Sequence, residues 1–254
     1  MYIIKVDSDR RPGHPTIKTL ITAAIPSSGK LVARRYLKLS YEEVHELSLA
    51  LFHRIRSSGW MPDVNVCVGR GGLFVLRSLQ DFFAAEDIRI PYQLVAIERY
   101  NGVDSANRAV IKNPDDVRVA GRSVLVVDDV ADYGDSLLAV RDFMESSGAT
   151  AVRTATLHLK PWSKITPDYY VARTDAWIIY PWEIYETISM LFKELAAAGA
   201  TVEEAYEELV SRAHVTPQEL RNFNEIISHG HSMDPRAVSL LEELTSVYEH
   251  AGRG

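Results

Sequence analysis

Val124-Leu125-Val126-Val127-Asp128-Asp129-Val130-Ala131-Asp132-Tyr133-Gly134-Asp135-Ser136 carries four apolar β-formers straight into two adjacent carboxylates. A short turn with one glycine, Asp132 to Ser136, follows, and Leu137, Leu138, Val140 and Phe143 then open a helical pattern. A buried strand, an acidic tip and a turn into a helix form the unit with which open α/β sheets hold a phosphorylated ligand beyond the carboxyl end of the strand. The free N–H groups of the helix N-terminus, and of the turn itself, face the anion. Successive side chains of a strand alternate faces, so Asp128 and Asp129 cannot both enter the core. At the tip both reach a ligand. Carboxylates accept hydrogen bonds from ribose hydroxyls, and they suit magnesium, which takes oxygen ligands and keeps several waters.

On either side the same grammar repeats. Ser40-Tyr41-Glu42-Glu43 is a capping box, and Val44, Leu47, Leu51 and Ile55 fall on one helical face that Gly59 ends. Val64–Val68 is a buried strand that runs into Gly69-Arg70-Gly71-Gly72, and Leu73 to Phe83 carries the next helix. That loop reads either as a plain glycine-rich turn or as a pyrophosphate loop. In the second reading the glycines let the backbone approach closely and Arg70 supplies a bidentate donor. Tyr92–Ile97 and Ala151–Leu159 are further strands, and Trp177–Tyr180 is a short apolar run. Glu98 to Arg118 is polar, with Gly102 and Pro114, and reads as a mobile connection. A second loop, with Pro161 and Pro167, precedes the run at Trp177.

Strands alternating with helices imply a parallel twisted sheet flanked by helices, an α/β fold. Beyond Pro181 the pattern becomes all-helical: Ile184–Ala198, Val202–Ala213, Pro217–Ile227 and Pro235–Tyr248. Thr216-Pro217-Gln218-Glu219 and Asp234-Pro235 are clear helix starts. The expected organisation is an N-terminal extension over 1–35, an α/β domain over 36–184 and a helical C-terminal extension over 185–254. Two alternating runs, Thr19–Ile25 and Leu31–Leu39, suit a hairpin. Between them, Ser27-Ser28-Gly29-Lys30 lacks the first glycine of a phosphate loop and a preceding buried strand, and is discounted.

Composition narrows the class further. The chain has 254 residues, 46% hydrophobic and 24% charged, with no run near the roughly 18 apolar residues of a membrane span. Met1 to Arg11 is too polar for the apolar core of a signal peptide. A single cysteine, Cys67, sits inside an apolar run and reads as a buried small hydrophobe, so a reducing cytoplasm is the expected compartment. Net charge is −6, which argues against a general nucleic-acid binder. Residues 183–254 carry 5 Lys/Arg against 13 Asp/Glu, leaving a body of net +2 that suits an anionic small ligand. His229 and His231 lack metal-ligand spacing and read as surface loop.

The acidic strand and its turn resemble the signature of type I phosphoribosyltransferases: four apolar residues, two acids, two apolar residues, then acid–Thr–Gly–x–Thr/Ser. Asp128, Asp129, Asp132, Gly134 and Ser136 stand in frame. Tyr133 replaces the usual threonine, and Asp135 stands where a non-acidic residue is common. The Arg70-Gly71-Gly72-Leu73 run one unit earlier resembles the pyrophosphate loop of the purine branch. The segments Lys160-Pro161-Trp162-Ser163 and Trp177 to Glu183 resemble the base site of bacterial and archaeal xanthine/guanine/hypoxanthine enzymes. The likeness covers about residues 36–185.

The resemblance implies binding of phosphoribosyl pyrophosphate (PRPP) with Mg2+. Asp128 and Asp129 would hold the ribose hydroxyls and a magnesium-bound water. Asp132, Tyr133, Gly134, Asp135 and Ser136 would cradle the 5′-phosphate, and Arg70 and Gly71 the pyrophosphate. Lys160, the Trp177 ring and the backbone of Ile178 would read a 6-oxopurine. Asp132 and Arg70 would act in catalysis, and Arg99, Tyr100 and Arg108 would belong to a closing hood over Glu98–Pro114. The implied activity is transfer of the 5-phosphoribosyl group to hypoxanthine, guanine or xanthine in purine salvage, by a cytoplasmic homodimer without nucleic-acid or membrane partners. Tyr133 and Asp135 keep a second reading open, a non-catalytic PRPP- or nucleotide-sensing regulator on the same fold. A pyrimidine acceptor is a third, against which Lys160 and Trp177 weigh.

Overall fold

The computed structural model describes residues 34–102, 105–228 and 233–251. The order of elements is β1 (Tyr36–Lys38), α1 (Tyr41–Ser57), β2 (Val64–Gly69), α2 (Gly72–Ala85), β3 (Tyr92–Gly102), β4 (Ser105–Ile111), β5 (Ser123–Val127), β6 (Val130–Ala131), α3 (Asp135–Ser146), β7 (Ala151–Leu159), β8 (Tyr169–Arg173) and β9 (Trp177–Ile179). Four helical segments follow: α4 (Ile184–Ala198), α5 (Val202–Tyr206) with a π-helical continuation over Glu207–Arg212, α6 (Pro217–Ser228) and α7 (Pro235–Ala251). None of the described helices is long and apolar enough to cross a membrane.

The main sheet runs β4-β3-β2-β5-β7, with β6 and β8 also on β7, and every pairing is parallel except β3 with β4. Both faces are covered, which is why its central strands read as unbroken apolar runs. Val64, Val66 and Val68 of β2 join Val124 and Val126 of β5 against Leu137, Val140 and Met144 of α3. Cys67, Leu125 and Val127 face the other way, onto Leu51 and Ile55 of α1 and Leu79 and Phe83 of α2. Burial pushes the Cys67 thiol up to about 12, so it is inert packing rather than a nucleophile.

Strands β5 and β6 share one line along β7. Val127 pairs with Ala155 and Val130 with His158, so the register does not slip across the intervening Asp128 and Asp129. The helix starts expected from sequence form as written. Ser40 Oγ accepts from Glu43 N at 3.1 Å while Ser40 N donates to Glu43 at 2.7 Å. Thr216 and Glu219 make the same reciprocal pair, and the Asp234 carboxylate accepts from Arg236 N at 2.8 Å.

Two expectations change, and one expected strand gains a partner. The polar stretch after Ile97 is not a loop: β3 continues to Gly102 and pairs antiparallel with β4, as Ile97 with Ile111 and Tyr100 with Arg108. Edge strands carry polar side chains, and that pattern reads as loop. The described part of the Leu31–Leu39 run is β1, which pairs in parallel with β9, Tyr36 beside Trp177 and Lys38 beside Ile179. The Thr19–Ile25 half of the expected hairpin, Ser27 to Lys30, His229 and His231 lie outside the described residues. Finally, Tyr169–Arg173 after Pro167 is strand β8, aligned on β7 by Asp168, whose carboxylate accepts from Thr154 N at 2.8 Å and Thr154 Oγ1 at 2.9 Å.

Tyr180, buried just past β9, ties this frame together. Its hydroxyl donates to Asp129 O at 3.0 Å and lies 2.8 Å from His158 Nδ1. Burial lowers the His158 pKa from 6.5 to about 4. The unfolded chain therefore takes up this proton first as pH falls, so the stability it contributes is whole above about 6.5 and is lost toward 4. The stability advantage of wild type over His158→Gln should shrink by about 2–3 kcal/mol between pH 7 and pH 4 in urea unfolding. Titrations elsewhere cancel in that difference, and a flat difference refutes the assignment.

Candidate active site

Asp128 and Asp129 sit in the break between β5 and β6, at the carboxyl end of the sheet. Asp128 is half-buried, and one of its carboxylate oxygens accepts from Asp129 N at 2.9 Å. Asp129 is buried, and desolvation raises its carboxyl to about 6. Its carbonyl accepts from Leu157 N at 2.9 Å, His158 N at 3.1 Å and the Tyr180 hydroxyl, so the acid is held from β7 and from the segment after β9.

The loop after β2 packs directly on this acid. A Cβ at Gly71 would stand 2.0 Å from Asp129 Oδ2, and one at Gly72 2.5 Å from Val127 O. Only glycine lets the loop and the start of α2 lie against the strand tip so closely. Arg70, 81% exposed, leaves the loop outward and pairs with Glu186 of α4 at 2.8 Å. A cis peptide joins Gly69 to Arg70. Behind the loop Phe74, Trp182 and Tyr180 form a ring stack, with centroids 4.4 Å and 4.7 Å apart. Glu183, next in sequence, is raised to about 7 by burial and by the nearby Asp129 charge.

The turn from β6 into α3 is set by Gly134, whose φ of +86° belongs to the left-handed region. A Cβ there would meet Ile165 and Ser163 Oγ at 2.8 Å, and that serine oxygen is buried without a hydrogen-bond partner among the described residues. The two departures from the family signature have simple outcomes. Tyr133 is 52% exposed. Asp135 turns to Lys164 at 2.5 Å, so its charge is matched by a neighbouring ammonium.

Asp132 accepts from Trp162 Nε1 at 3.0 Å. Lys160 follows β7, is buried at 6% exposure, and donates from Nζ to the carbonyl of Ala176, the residue before Trp177. Burial lowers the Lys160 pKa, with the Asp132 charge opposing. Trp177 is 38% exposed. Its N–H donates to Arg35 O at 2.7 Å, and Leu39 N donates to Ile179 O at 3.0 Å. Alternate residues of a strand direct their amides to opposite edges, so Trp177 and Ile179 face β1 while the Ile178 backbone faces away from it.

The fold thus gathers the expected phosphoribosyl and base groups at one end of the sheet. Arg99, Tyr100 and Arg108 lie in the β3–β4 hairpin, and their side chains fall outside the described residues. Sequence reading assigned no role to Trp162, Lys164 or Glu186, which engage Asp132, Asp135 and Arg70 across 29 to 116 positions of sequence. No local pattern marks them. Among the described residues no group of three or more His, Cys, Asp or Glu makes a metal cage. Magnesium does not need one, since one or two carboxylates complete its shell together with waters and substrate phosphates. The all-oxygen pair Asp128 and Asp129, one of them buried at a raised pKa, fits that demand.

A Cereibacter sphaeroides xanthine-guanine phosphoribosyltransferase is 29% identical over 158 residues, 58% of this chain and 86% of that protein. The crystal structure of a purine phosphoribosyltransferase from Pyrococcus horikoshii superposes with a TM-score of 0.51 at 32% identity, over 58% of this chain and 93% of that one. Helicobacter pylori xanthine-guanine-hypoxanthine phosphoribosyltransferase gives 0.51 at 25% identity, over 60% and 96%. The phosphoribosyl transferase domain model matches residues 40–187, more than half of the chain, and the protein belongs to that family.

Proposed function

We propose that this protein transfers the 5-phosphoribosyl group of PRPP to a ring nitrogen of a 6-oxopurine (hypoxanthine, guanine or xanthine), releasing pyrophosphate, as a Mg2+-dependent enzyme of purine salvage. The observation that carries this is the packing of the Gly69–Gly72 loop onto Asp129, with Lys160 and Trp177 at the same end of the sheet. The names of the relatives support the purine. A cytoplasmic homodimer is the expected form.

In this reading Asp128 and Asp129 receive the ribose hydroxyls and hold the cation through water. When bound, Mg2+ supplies positive charge to the departing pyrophosphate. The backbone N–H groups of Asp132 to Ser136 take the 5′-phosphate, with Ser136 and Ser163 as hydroxyl donors. Arg70 exchanges Glu186 for pyrophosphate. Its partner is exposed, so the exchange costs little. Lys160 donates to the exocyclic oxygen of the base, Ile178 offers backbone groups to its edge, and Trp177 stacks on its face. The C1′–oxygen bond breaks, the bond from the base nitrogen to C1′ forms, and the proton leaving the base passes to Asp132, which Trp162 orients.

The sensor reading loses part of its support, because Lys164 matches the Asp135 charge. It predicts PRPP binding with no chemistry. Incubation with PRPP, Mg2+ and a panel of purine and pyrimidine bases, followed by mass spectrometry, should show nucleotide and pyrophosphate only with 6-oxopurines and none after chelation. Binding without product supports the sensor.

Asp132→Asn should lower kcat about a hundredfold or more while the KM for PRPP stays within a few-fold. Undiminished turnover removes Asp132 from the chemistry. Gly71→Ala tests the loop: its φ of −59° tolerates alanine, so the added carbon acts only through its collision with Asp129. The KM for PRPP should rise about tenfold or more. An unchanged KM would show that this close approach does not matter.

A further inference from the structure

Arg34 lies two residues before β1, and its guanidinium sits 5.1 Å from the centre of the Trp177 ring. Glu194 of α4 grips it through both carboxylate oxygens, at 2.6 Å and 3.3 Å. The backbone is fixed too, since Arg212 donates to Arg34 O at 2.8 Å. Farther along β1, Tyr36 bonds Glu208, and Lys38 pairs with Glu219 at 2.6 Å and donates to His214 O at 2.9 Å. The helices after Pro181 thus clamp β1, and β1 is the strand on which β9 rests. Arg34 and Glu194 both lie outside the 40–187 stretch shared with the family, yet they reach a residue inside it.

Trp177 sits on a three-residue strand and is 38% exposed, so its own element packs it poorly. A planar guanidinium attracts an indole face and orders it, and a carboxylate fork orders the guanidinium in turn. A ring held before the ligand arrives binds with less loss of freedom. With Arg34 on one face, an aromatic ligand would stack on the other.

We propose that Arg34, fixed by Glu194, is a positioning residue for the base: it backs the Trp177 ring so that the opposite face becomes the stacking platform. This rests on the reading of Trp177 as the base platform. In this chain, then, base affinity depends on a pair of residues supplied from outside the shared domain.

Steady-state kinetics with hypoxanthine or guanine on Arg34→Ala, Arg34→Lys, Glu194→Gln and Trp177→Ala test it. Arg34→Ala should raise the base KM about three- to tenfold, with kcat and the PRPP KM within about twofold. Arg34→Lys, which keeps a cation, should recover part of the loss, and Glu194→Gln should shift the base KM in the same direction as Arg34→Ala. A merely structural role would lower kcat or move both KM values together, and would overturn the proposal. If Trp177→Ala raises the base KM while Arg34→Ala and Glu194→Gln do not, Arg34 has no positioning role and the base platform stands. If Trp177→Ala also leaves the base KM unchanged, the base-site reading fails and the proposal with it. Should Arg34→Ala yield no folded protein, Glu194→Gln decides, and an unchanged base KM there overturns the proposal.

Discussion

The contact of Gly71 with the Asp129 carboxylate is the constraint around which the rest is arranged. A buried carboxylate is costly unless a ligand, a cation or a proton compensates it. Here the residue is held from several sides. The β7 amides of Leu157 and His158 and the Tyr180 hydroxyl fix its backbone, while the loop from β2 closes on its side chain. Burial raises its pKa to about 6, and in the proposed reading a polyanionic substrate arriving with a divalent cation would compensate the charge. Four segments far apart in sequence meet at this residue, so the acid pair is a junction of the fold as well as part of the site.

The centre of the fold was legible because physics there is local and repetitive. Parallel strands covered on both faces must be apolar throughout, so β2, β5 and β7 stand out from their surroundings, and Ala151–Leu159 has the bounds read from sequence. Capping boxes at Ser40 and Thr216 announce their helices through residues three apart. The β3–β4 hairpin was not legible, because an edge strand with polar side chains carries neither alternation nor an apolar run. The partner of strand β1 was not legible for a different reason: three residues pair with β9 about 140 positions away, and nothing near Tyr36 encodes that distance.

The site divides along the same line. The proposed phosphoribosyl half is contiguous, Asp128 to Ser136, and a contiguous motif can be read directly. The proposed base half is assembled from the end of β7 and the start of β9, linked by the bond from Lys160 to Ala176 O. A lone lysine after a strand is ordinarily solvated, so only burial distinguishes this one. The partners of two acids in that motif, Trp162 on Asp132 and Lys164 on Asp135, belong to the loop that precedes β8. The charge of Asp135 beside the proposed phosphate site is matched by Lys164.

The charge asymmetry between body and tail takes on a structural meaning. A net −8 over residues 183–254 would ordinarily suggest an acidic face for a basic partner. Part of that charge is directed inward instead. Glu194 meets Arg34, Glu219 meets Lys38, and Glu208 is shared between Tyr36 and Arg212. Isolated exposed ion pairs contribute little to stability, but these are half-buried and converge on a single three-residue strand. A short parallel pair such as β1 with β9 is too small to persist alone. The acidic helices supply the missing restraint, so the segment that looks least related to the chemistry holds in place the strand on which Trp177 is mounted.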